Sequence, residues 1–208
     1  STYIPDSEVS TFNQSHGFRF KLPFFKTVLE KSKEIVSGSN GAFDPTVMPL
    51  VNAWGFGPSK ETLPDSALID SIKQFVGFEK IQHDSDSIWK TVPHVQLDFS
   101  AIAKGYGVDV VADLLRDYGI ENYFVEIGGE VVARGKNLKT KKAWQVGILN
   151  PSSTLANQSY LAYARIENKA LATSGNYFNY REKDGKKYSH TIDPESGYPV
   201  QREILSAS

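Results

Sequence analysis

The chain has 208 residues, 40% hydrophobic and 23% charged, a globular composition that excludes disordered, collagenous and coiled-coil proteins. Lys and Arg number 23 against 24 Asp and Glu, so the formal charge is −1, and without a positive excess nucleic acid is excluded as a partner. The absence of cysteine excludes disulfides, thiolate metal sites and cysteine nucleophiles, and no apolar run approaches the roughly 18 residues of a membrane span.

The first predicted helix covers residues 23–36, where apolar side chains recur at helical spacing and a proline stands in the first turn. Residues 37–59 are rich in glycine and proline and predict a long loop, which inside a compact domain usually has a function. Thr62 and Asp65 then resemble a capping box, which predicts a short helix through Leu68, Ile69, Ile72 and Phe75.

A small sheet and a long helix are predicted next. Residues 78–83, 87–91 and 95–98 are β-rich, with a hairpin turn at residues 84–86. Residues 100–118 carry apolar side chains at helical spacing and end before Gly119, which predicts a helix with a glycine cap.

The rest of the chain predicts short strands. They cover residues 123–127, 131–134, 144–149, 160–166 and 171–173, then 177–181 and 187–192 around the turn pair Asp184-Gly185, with a further strand starting at residues 204–208. The predicted fold class is α+β, with mostly antiparallel sheets and packed helices in one domain of residues 1–208 that has two lobes.

The start of the long helix is a candidate anion site. Its unpaired N–H groups and its dipole attract negative charge, and Lys104, one turn in, adds a cation for a phosphate. The alternative is that Asp98 or Ser100 merely caps the helix, and spacing alone favours the cap.

Two glycine-containing stretches are also ambiguous. Gly128 and Gly129 permit close approach of a ligand to the backbone, but spacing favours an ordinary tight hairpin. In the segment of residues 41–57, Phe43 and Trp54 either wrap a planar ring or anchor the loop, and spacing does not separate these interpretations.

His190 is the histidine best placed for chemistry. It follows a predicted strand just before a Pro/Gly turn, where a side chain reaches a pocket rim, and imidazole is the usual base near neutral pH. A structural role fits His190 equally well. The other histidines, His16, His83 and His94, are predicted to be solvated.

Several standard signatures are absent from the sequence. There is no Walker A motif, no strand-linked G-x-G-x-x-G, no H-E-x-x-H and no G-x-S-x-G. The residues alone therefore predict an α+β domain with an anion site at one helix start.

Six stretches taken together are far more specific than any one of them. They are residues 1–13 (STYIPDSEVSTFN), 41–57 (GAFDPTVMPLVNAWGFG), 97–107 (LDFSAIAKGYG), 125–131 (VEIGGEV), 170–175 (ALATSG) and 188–200 (YSHTIDPESGYPV). In this order the whole chain resembles the flavin transferases of the ApbE type, which move FMN from FAD onto a Thr or Ser hydroxyl of a target protein. The resemblance implies an ApbE-like, T-fold-related architecture.

The resemblance also implies roles for particular residues. The positions that match FAD contacts in the family are Tyr3, Ala42, Phe43, Asp44, Asp98, Lys104 and Thr191. Ala101 matches the position whose backbone carbonyl helps to hold Mg²⁺, and His190 matches the proposed base that activates the acceptor hydroxyl. Mg²⁺ prefers oxygen ligands and usually bridges substrate phosphates, so a carbonyl near this helix is a suitable ligand.

This sequence departs from the family pattern at both ends. The other metal ligands, an Asp pair and a Thr, belong to a segment expected after Ser208, and a further flavin contact and often a lipoprotein signal are expected before Ser1. The chain is therefore expected to be truncated at both ends relative to the family, with an incomplete metal site.

The resemblance implies a Mg²⁺-dependent transferase that uses FAD as substrate and releases AMP. The alternatives are an FAD diphosphatase that yields FMN and AMP, or a non-catalytic flavin-binding module. The implied partners are acceptor flavoproteins of membrane redox complexes. The implied location is the bacterial periplasm or the outer face of the inner membrane, with a lipid anchor before Ser1.

Overall fold

The computed structural model describes residues 2–15, 23–58, 63–154, 156–176, 180–183, 185–201 and 203–208. It divides into two compact units, Ser1–Ile102 with Tyr188–Gln201, and Ala103–Lys187 with Arg202–Ser208. The predicted α+β class is confirmed, because helices alternate with small sheets whose strand pairs are antiparallel.

Helices dominate the first unit. They are α1 (Glu8–Gln14), α2 (Pro23–Gly38), α3 (Met48–Ala53), α4 (Ser66–Lys73) and the first turn of α5 (Ser100–Asp117), and the strands β1 (Ile81–His83) and β2 (Ile88–Lys90) form an antiparallel hairpin. The core of the unit contains Leu50, Trp54, Ile69, Val76 and Ile192. Ile192 comes from the second segment of this unit, so the two segments share one core.

The helix predictions are partly confirmed. Helix α2 covers the predicted residues 23–36, and α4 has Asp65 as its N-cap, whose carboxylate accepts a hydrogen bond from Leu68 N at 2.8 Å. Thr62, the other half of the expected capping box, lies outside the described residues. Helices α1 and α3 were not predicted, and α3 interrupts the expected loop of residues 37–59.

One predicted strand of this unit is confirmed only in its second half, as β1, and another is wrong. Residues 78–80 form a 3₁₀ helix, because the carboxylate of Asp44 and the hydroxyl of Thr46 accept hydrogen bonds from Phe78 N and Gly77 N. Residues 95–98 form no strand beyond one parallel bridge between Val47 and Gln96.

The second unit contains most of the strands. In it β3 (Tyr123–Ile127), β4 (Glu130–Arg134) and β7 (Lys169–Leu171) form one sheet, β5 (Trp144–Leu149) pairs with β6 (Tyr160–Ile166), and β8 (Ser174–Gly175) pairs with β11 (Ser206–Ala207). The hairpin of β9 (Tyr180–Lys183) and β10 (Lys186–Ser189) follows β8. Helix α5 packs Val108 and Ala112 against Tyr123 and Val125 of β3.

Several predictions for this unit are confirmed. Strands β3, β5 and β6 have the predicted bounds, and Gly119 takes a φ of 73° after α5, as the glycine cap requires. The strand predicted at residues 171–173 is two residues too late, because β7 pairs residues 169–171 with β4. Residues 177–179 and Asp184 of the predicted final hairpin lie outside the described residues.

Among the described residues, no helix is both long enough and apolar enough to cross a membrane.

Candidate functional site

The start of α5 is organised by Asp98. Its Oδ1 accepts hydrogen bonds from Ser100 N at 2.8 Å and from Ser100 Oγ at 2.5 Å, so the carboxylate does contact the helix start. Its Oδ2 has no partner among the described residues. One oxygen therefore has a local structural role, and the other is available to a ligand.

The backbone before α5 is held tightly. Asp98 N donates to Pro45 O at 2.7 Å, which joins the helix start to the segment of residues 41–57. Leu97 is hydrogen-bonded on both its N–H and its carbonyl by the side chain of Asn13. Phe99 is buried and packs edge-on against Phe25, with ring centroids 4.9 Å apart. Asp98 is therefore flanked by two fixed residues.

Asp44 is a structural carboxylate. It is 9% exposed, its Oδ1 accepts from Thr46 N and Thr46 Oγ1 at 2.8 and 2.6 Å, and its Oδ2 accepts from Phe78 N at 3.0 Å. Both oxygens accept hydrogen bonds from within the protein, so the carboxylate stabilises the local fold, and the predicted contact of Asp44 with FAD stays a prediction. The preceding residues are more accessible, since Ala42 is exposed and Phe43 is half-buried.

Trp54 joins α3 to the segment that carries His190. Its indole Nε1 donates to Gly197 O at 2.9 Å, and its ring stacks on Tyr188 at 5.4 Å. A Cβ at Gly197 would lie 2.7 Å from Ile69 Cγ2, so this close approach requires glycine, which also takes a φ of 80° there. Trp54 is thus the hydrophobic anchor, one of the two roles considered for it.

His190 lies beside the segment of residues 41–57. Its ring meets Phe56 edge-on at 6.4 Å, and Tyr3, 63% exposed, donates its hydroxyl to Phe56 O at 3.2 Å. Thr191 is exposed, and its carbonyl accepts from Val200 N at 2.8 Å. Phe56 therefore contacts the predicted base through its ring and Tyr3 through its carbonyl.

Asp193, three residues after His190, stabilises the turn that contains Glu195 and Ser196. Its Oδ1 accepts from Glu195 N at 3.0 Å and its Oδ2 from Ser196 Oγ at 2.9 Å. Both oxygens have partners within the turn, so His190 is the better placed of the two as a base.

Lys104 lies in the second unit. Its Nζ donates to Gly128 O at 3.1 Å and pairs with Glu130 Oε1 at 2.7 Å. A Cβ at Gly128, where φ is 57°, would lie 3.1 Å from Lys104 Cδ. Gly128 and Gly129 therefore form the tight turn between β3 and β4, and the Gly128 carbonyl accepts a hydrogen bond from Lys104. The ammonium keeps a third N–H, so the predicted phosphate contact stays compatible with this pairing.

The described residues do not form a metal site by themselves. No group of three His, Asp or Glu side chains among them is arranged to hold an ion. Near Ala101, the nearest carboxylate in sequence is Asp98, with one unpartnered oxygen. One carbonyl and one carboxylate are fewer oxygen ligands than a magnesium ion needs.

The first unit thus contains most of the predicted site residues: Tyr3, Ala42, Phe43, Asp44, Asp98, Ala101, His190 and Thr191. Contacts within this unit link the segment of residues 41–57 both to Asp98 and to His190. Sequence patterns assign no role to Asn13 and do not indicate that Trp54 contacts the segment that carries His190. No local signal could have found either, because their partners lie 84 and 143 residues away.

Comparison with known proteins gives one consistent family. A family model described as the ApbE family matches residues 1–208. The chain is 40% identical over 215 residues to the FAD:protein FMN transferase of Haemophilus influenzae, covering 99% of this chain and 62% of that protein. It is 40% identical over 213 residues to the protein of the same name from Vibrio cholerae, covering 100% of this chain and 63% of that one.

A solved structure agrees with the sequence comparisons. The flavin transferase ApbE from Vibrio cholerae superposes with a TM-score of 0.87 at 38% identity, covering 99% of this chain and 66% of the other. The chain spans about three-fifths of the length of the relatives it matches.

Proposed function

Because this chain belongs to the ApbE family, we propose that it transfers FMN from FAD onto a Thr or Ser hydroxyl of a target flavoprotein and releases AMP. Relatives named FAD:protein FMN transferase support the proposal. The observation that carries it is the contact of His190 with Phe56, on the same segment whose Pro45 carbonyl is bonded to Asp98. The predicted base and the start of α5 therefore both contact the segment of residues 41–57.

The proposed reaction is a displacement at phosphorus. The acceptor oxygen attacks the phosphorus on the FMN side of the FAD pyrophosphate. The bond from that phosphorus to the bridging oxygen breaks, and AMP leaves with the electron pair. His190 takes the proton of the acceptor hydroxyl, and no covalent enzyme intermediate forms. N–H groups at the start of α5 stabilise the charge on the phosphate oxygens, and the family resemblance implies a contact of Lys104 with FAD.

The proposed binding mode puts the pyrophosphate at the start of α5 and the isoalloxazine ring against the segment of residues 41–57. An anion-accepting helix end and an aromatic, glycine-containing segment support this arrangement. A ligand-bound structure with the phosphates at the start of α4 would contradict it.

Magnesium remains part of the proposal on the strength of the family resemblance. The described residues offer Ala101 O and Asp98 Oδ2 but no complete ligand set, so no step of the reaction is assigned to the ion. If the proposal is correct, EDTA lowers the transfer rate and added Mg²⁺ restores it.

The proposed acceptors are flavoproteins of membrane redox complexes, and the proposed site of action is the periplasm or the outer face of the inner membrane. The family resemblance supports both proposals. Fractionation of cells that express the tagged protein tests the location.

One assay tests the function. The chain is mixed with FAD, Mg²⁺ and an acceptor flavoprotein, and denaturing gels are examined for covalent flavin fluorescence while AMP is quantified. A covalent flavin band with equimolar AMP supports the transferase. AMP and free FMN without a band support the diphosphatase, and FAD that is bound but unchanged supports the non-catalytic module.

A further inference from the structure

Asn13 makes an unusual contact for a surface helix residue. Its Oδ1 accepts a hydrogen bond from Leu97 N at 2.7 Å, and its Nδ2 donates to Leu97 O at 2.9 Å. One side-chain amide thus satisfies both backbone groups of a single residue 84 positions away. Only an amide offers an acceptor and a donor in this arrangement, so aspartate and leucine cannot reproduce it.

Leu97 needs these two bonds. Its side chain is fully buried, and a buried N–H or carbonyl without a partner is costly. The residue belongs to none of the strands, so the amide of Asn13 replaces a strand partner. Asp98 follows directly, and its own N–H is bonded to Pro45.

Asn13 is itself held in place. Lys90 donates from Nζ to Asn13 O at 3.2 Å and to Ser15 O at 3.0 Å, beyond the last turn of α1. The preceding residue, Phe12, is fully buried and lies under the Lys90 ammonium, 4.7 Å from it. The amide is therefore presented to Leu97 from a fixed backbone.

We propose that Asn13 is a positioning residue, whose side-chain amide fixes the backbone of Leu97 and thereby places Asp98 and the first turn of α5 to receive the FAD pyrophosphate. The inference rests on the proposed function. It assigns Asn13 no contact with substrate. Its effect is transmitted along two residues of backbone, from Leu97 through Asp98 to the N–H groups of the helix start.

Three ligands separate positioning from general stability. ADP carries the pyrophosphate without a flavin, riboflavin carries the flavin without a phosphate, and FAD carries both. Dissociation constants are measured in the full chain for the wild type and for Asn13→Asp, which keeps the acceptor for Leu97 N but faces Leu97 O with a charge. Asn13→Ser, which is too short to make either bond, is the second variant.

We expect both Asn13 variants to bind FAD and ADP about tenfold more weakly, and riboflavin as the wild type does. Gln14→Ala, which changes an exposed side chain on the same helix, should bind all three ligands normally. Ile166→Val removes a methylene group from the buried side chain of Ile166 in β6, in the other unit, so it lowers the unfolding temperature without altering the residues that hold Asn13. It should leave all three affinities unchanged.

The outcomes are distinct. Equal losses for riboflavin and ADP, or the same losses in Ile166→Val, would overturn the inference in favour of a merely structural role. Asn13 variants with wild-type affinities would overturn it while leaving the proposed function intact. A wild-type chain that fails to bind FAD would contradict the proposed function, and the inference with it.

Discussion

Asp98 has two oxygens with different surroundings. Oδ1 is bonded to Ser100, whereas Oδ2 has no partner among the described residues. In Asp98→Asn the amide oxygen still accepts from Ser100 N, so the cap is retained, while the charge and one acceptor are lost. We expect weaker FAD binding with a nearly unchanged melting temperature, measured by flavin fluorescence and thermal unfolding. A lower melting temperature with unchanged binding would show that Asp98 only caps the helix.

His190 carries the strongest catalytic prediction. A threonine hydroxyl is a poor nucleophile, so loss of its base should slow transfer by about 10² to 10⁴, and a loose transition state favours the smaller factor. His190→Asn should keep FAD affinity and lose transfer activity to this extent. His94→Asn is the control, because His94 lies in the same unit and packs against Phe75. A wild-type rate in His190→Asn would make His190 structural.

At the scale of elements, one lysine joins α1 to β2. Burial lowers the pKa of Lys90 from 10.5 to about 8, while the two carbonyls and the Phe12 ring favour its charged form. Between pH 8 and pH 10.5 the unfolded chain keeps a proton that the folded chain releases, so folding becomes more favourable as the pH rises. Below about pH 8 both states hold the proton, and the cost of burying the charge is constant.

Lys90→Met removes this titration. Between pH 7 and pH 10, the unfolding free energy of the wild type relative to the variant should rise by about 1 to 3 kcal/mol, measured by urea denaturation. Lys33→Met, at an exposed position of α2, is the control and should show no such trend. If the difference between wild type and Lys90→Met does not change with pH, burial does not control the charge of Lys90.

The contact between α3 and the His190 segment depends on an indole N–H. Trp54→Phe retains an aromatic ring but leaves Gly197 O without its donor, which should lower the unfolding free energy by about 1 to 2 kcal/mol. Tyr198→Phe is the control, since Tyr198 contributes its ring to Trp54 and is expected to be neutral. The two variants are compared by urea denaturation, and a loss in Trp54→Phe no larger than that in Tyr198→Phe would contradict a contribution from the indole N–H.

Sequence patterns identified the elements that are long or regular. Helix α5 and strands β3, β5 and β6 follow from periodicity, because their own side chains make the repeating face. Helices α1 and α3, of seven and six residues, are too short to be stable by themselves and depend on tertiary contacts. The segment of residues 95–98 has a strand-like composition, yet its key partner is the side chain of Asn13.

In the candidate site, too, local patterns predicted some features and long-range contacts determine the others. Local motifs identified Asp98, Lys104 and His190, because each stands at a helix start or beside a turn. They could not reveal that both oxygens of Asp44 are occupied, since one of its donors, Phe78 N, lies 34 residues away. Long-range contacts decide whether a polar side chain faces a ligand or the protein.

At the scale of the whole molecule, binding of FAD should raise the free energy of unfolding. A ligand that binds only the folded state, at about 100 times its dissociation constant, raises the unfolding free energy by about 2.7 kcal/mol. We expect this increase for the wild type and for His190→Asn, because the base is not needed for binding. Calorimetric unfolding with and without FAD measures it. No shift with FAD would contradict the proposed binding site.

The first unit is assembled from two stretches of chain that are separated by most of the second unit. On the ribosome, Trp54 emerges long before Gly197, and at about 5 to 20 residues per second the delay is on the order of ten seconds. Between the emergence of Ser100 and that of Tyr188 the nascent chain has Asp98 and the first residues of α5 but lacks His190, and it also lacks Ile192 of the first unit's core. The growing polypeptide therefore completes the core of the first unit, and brings His190 beside Phe56, only after most of the second unit has been synthesised.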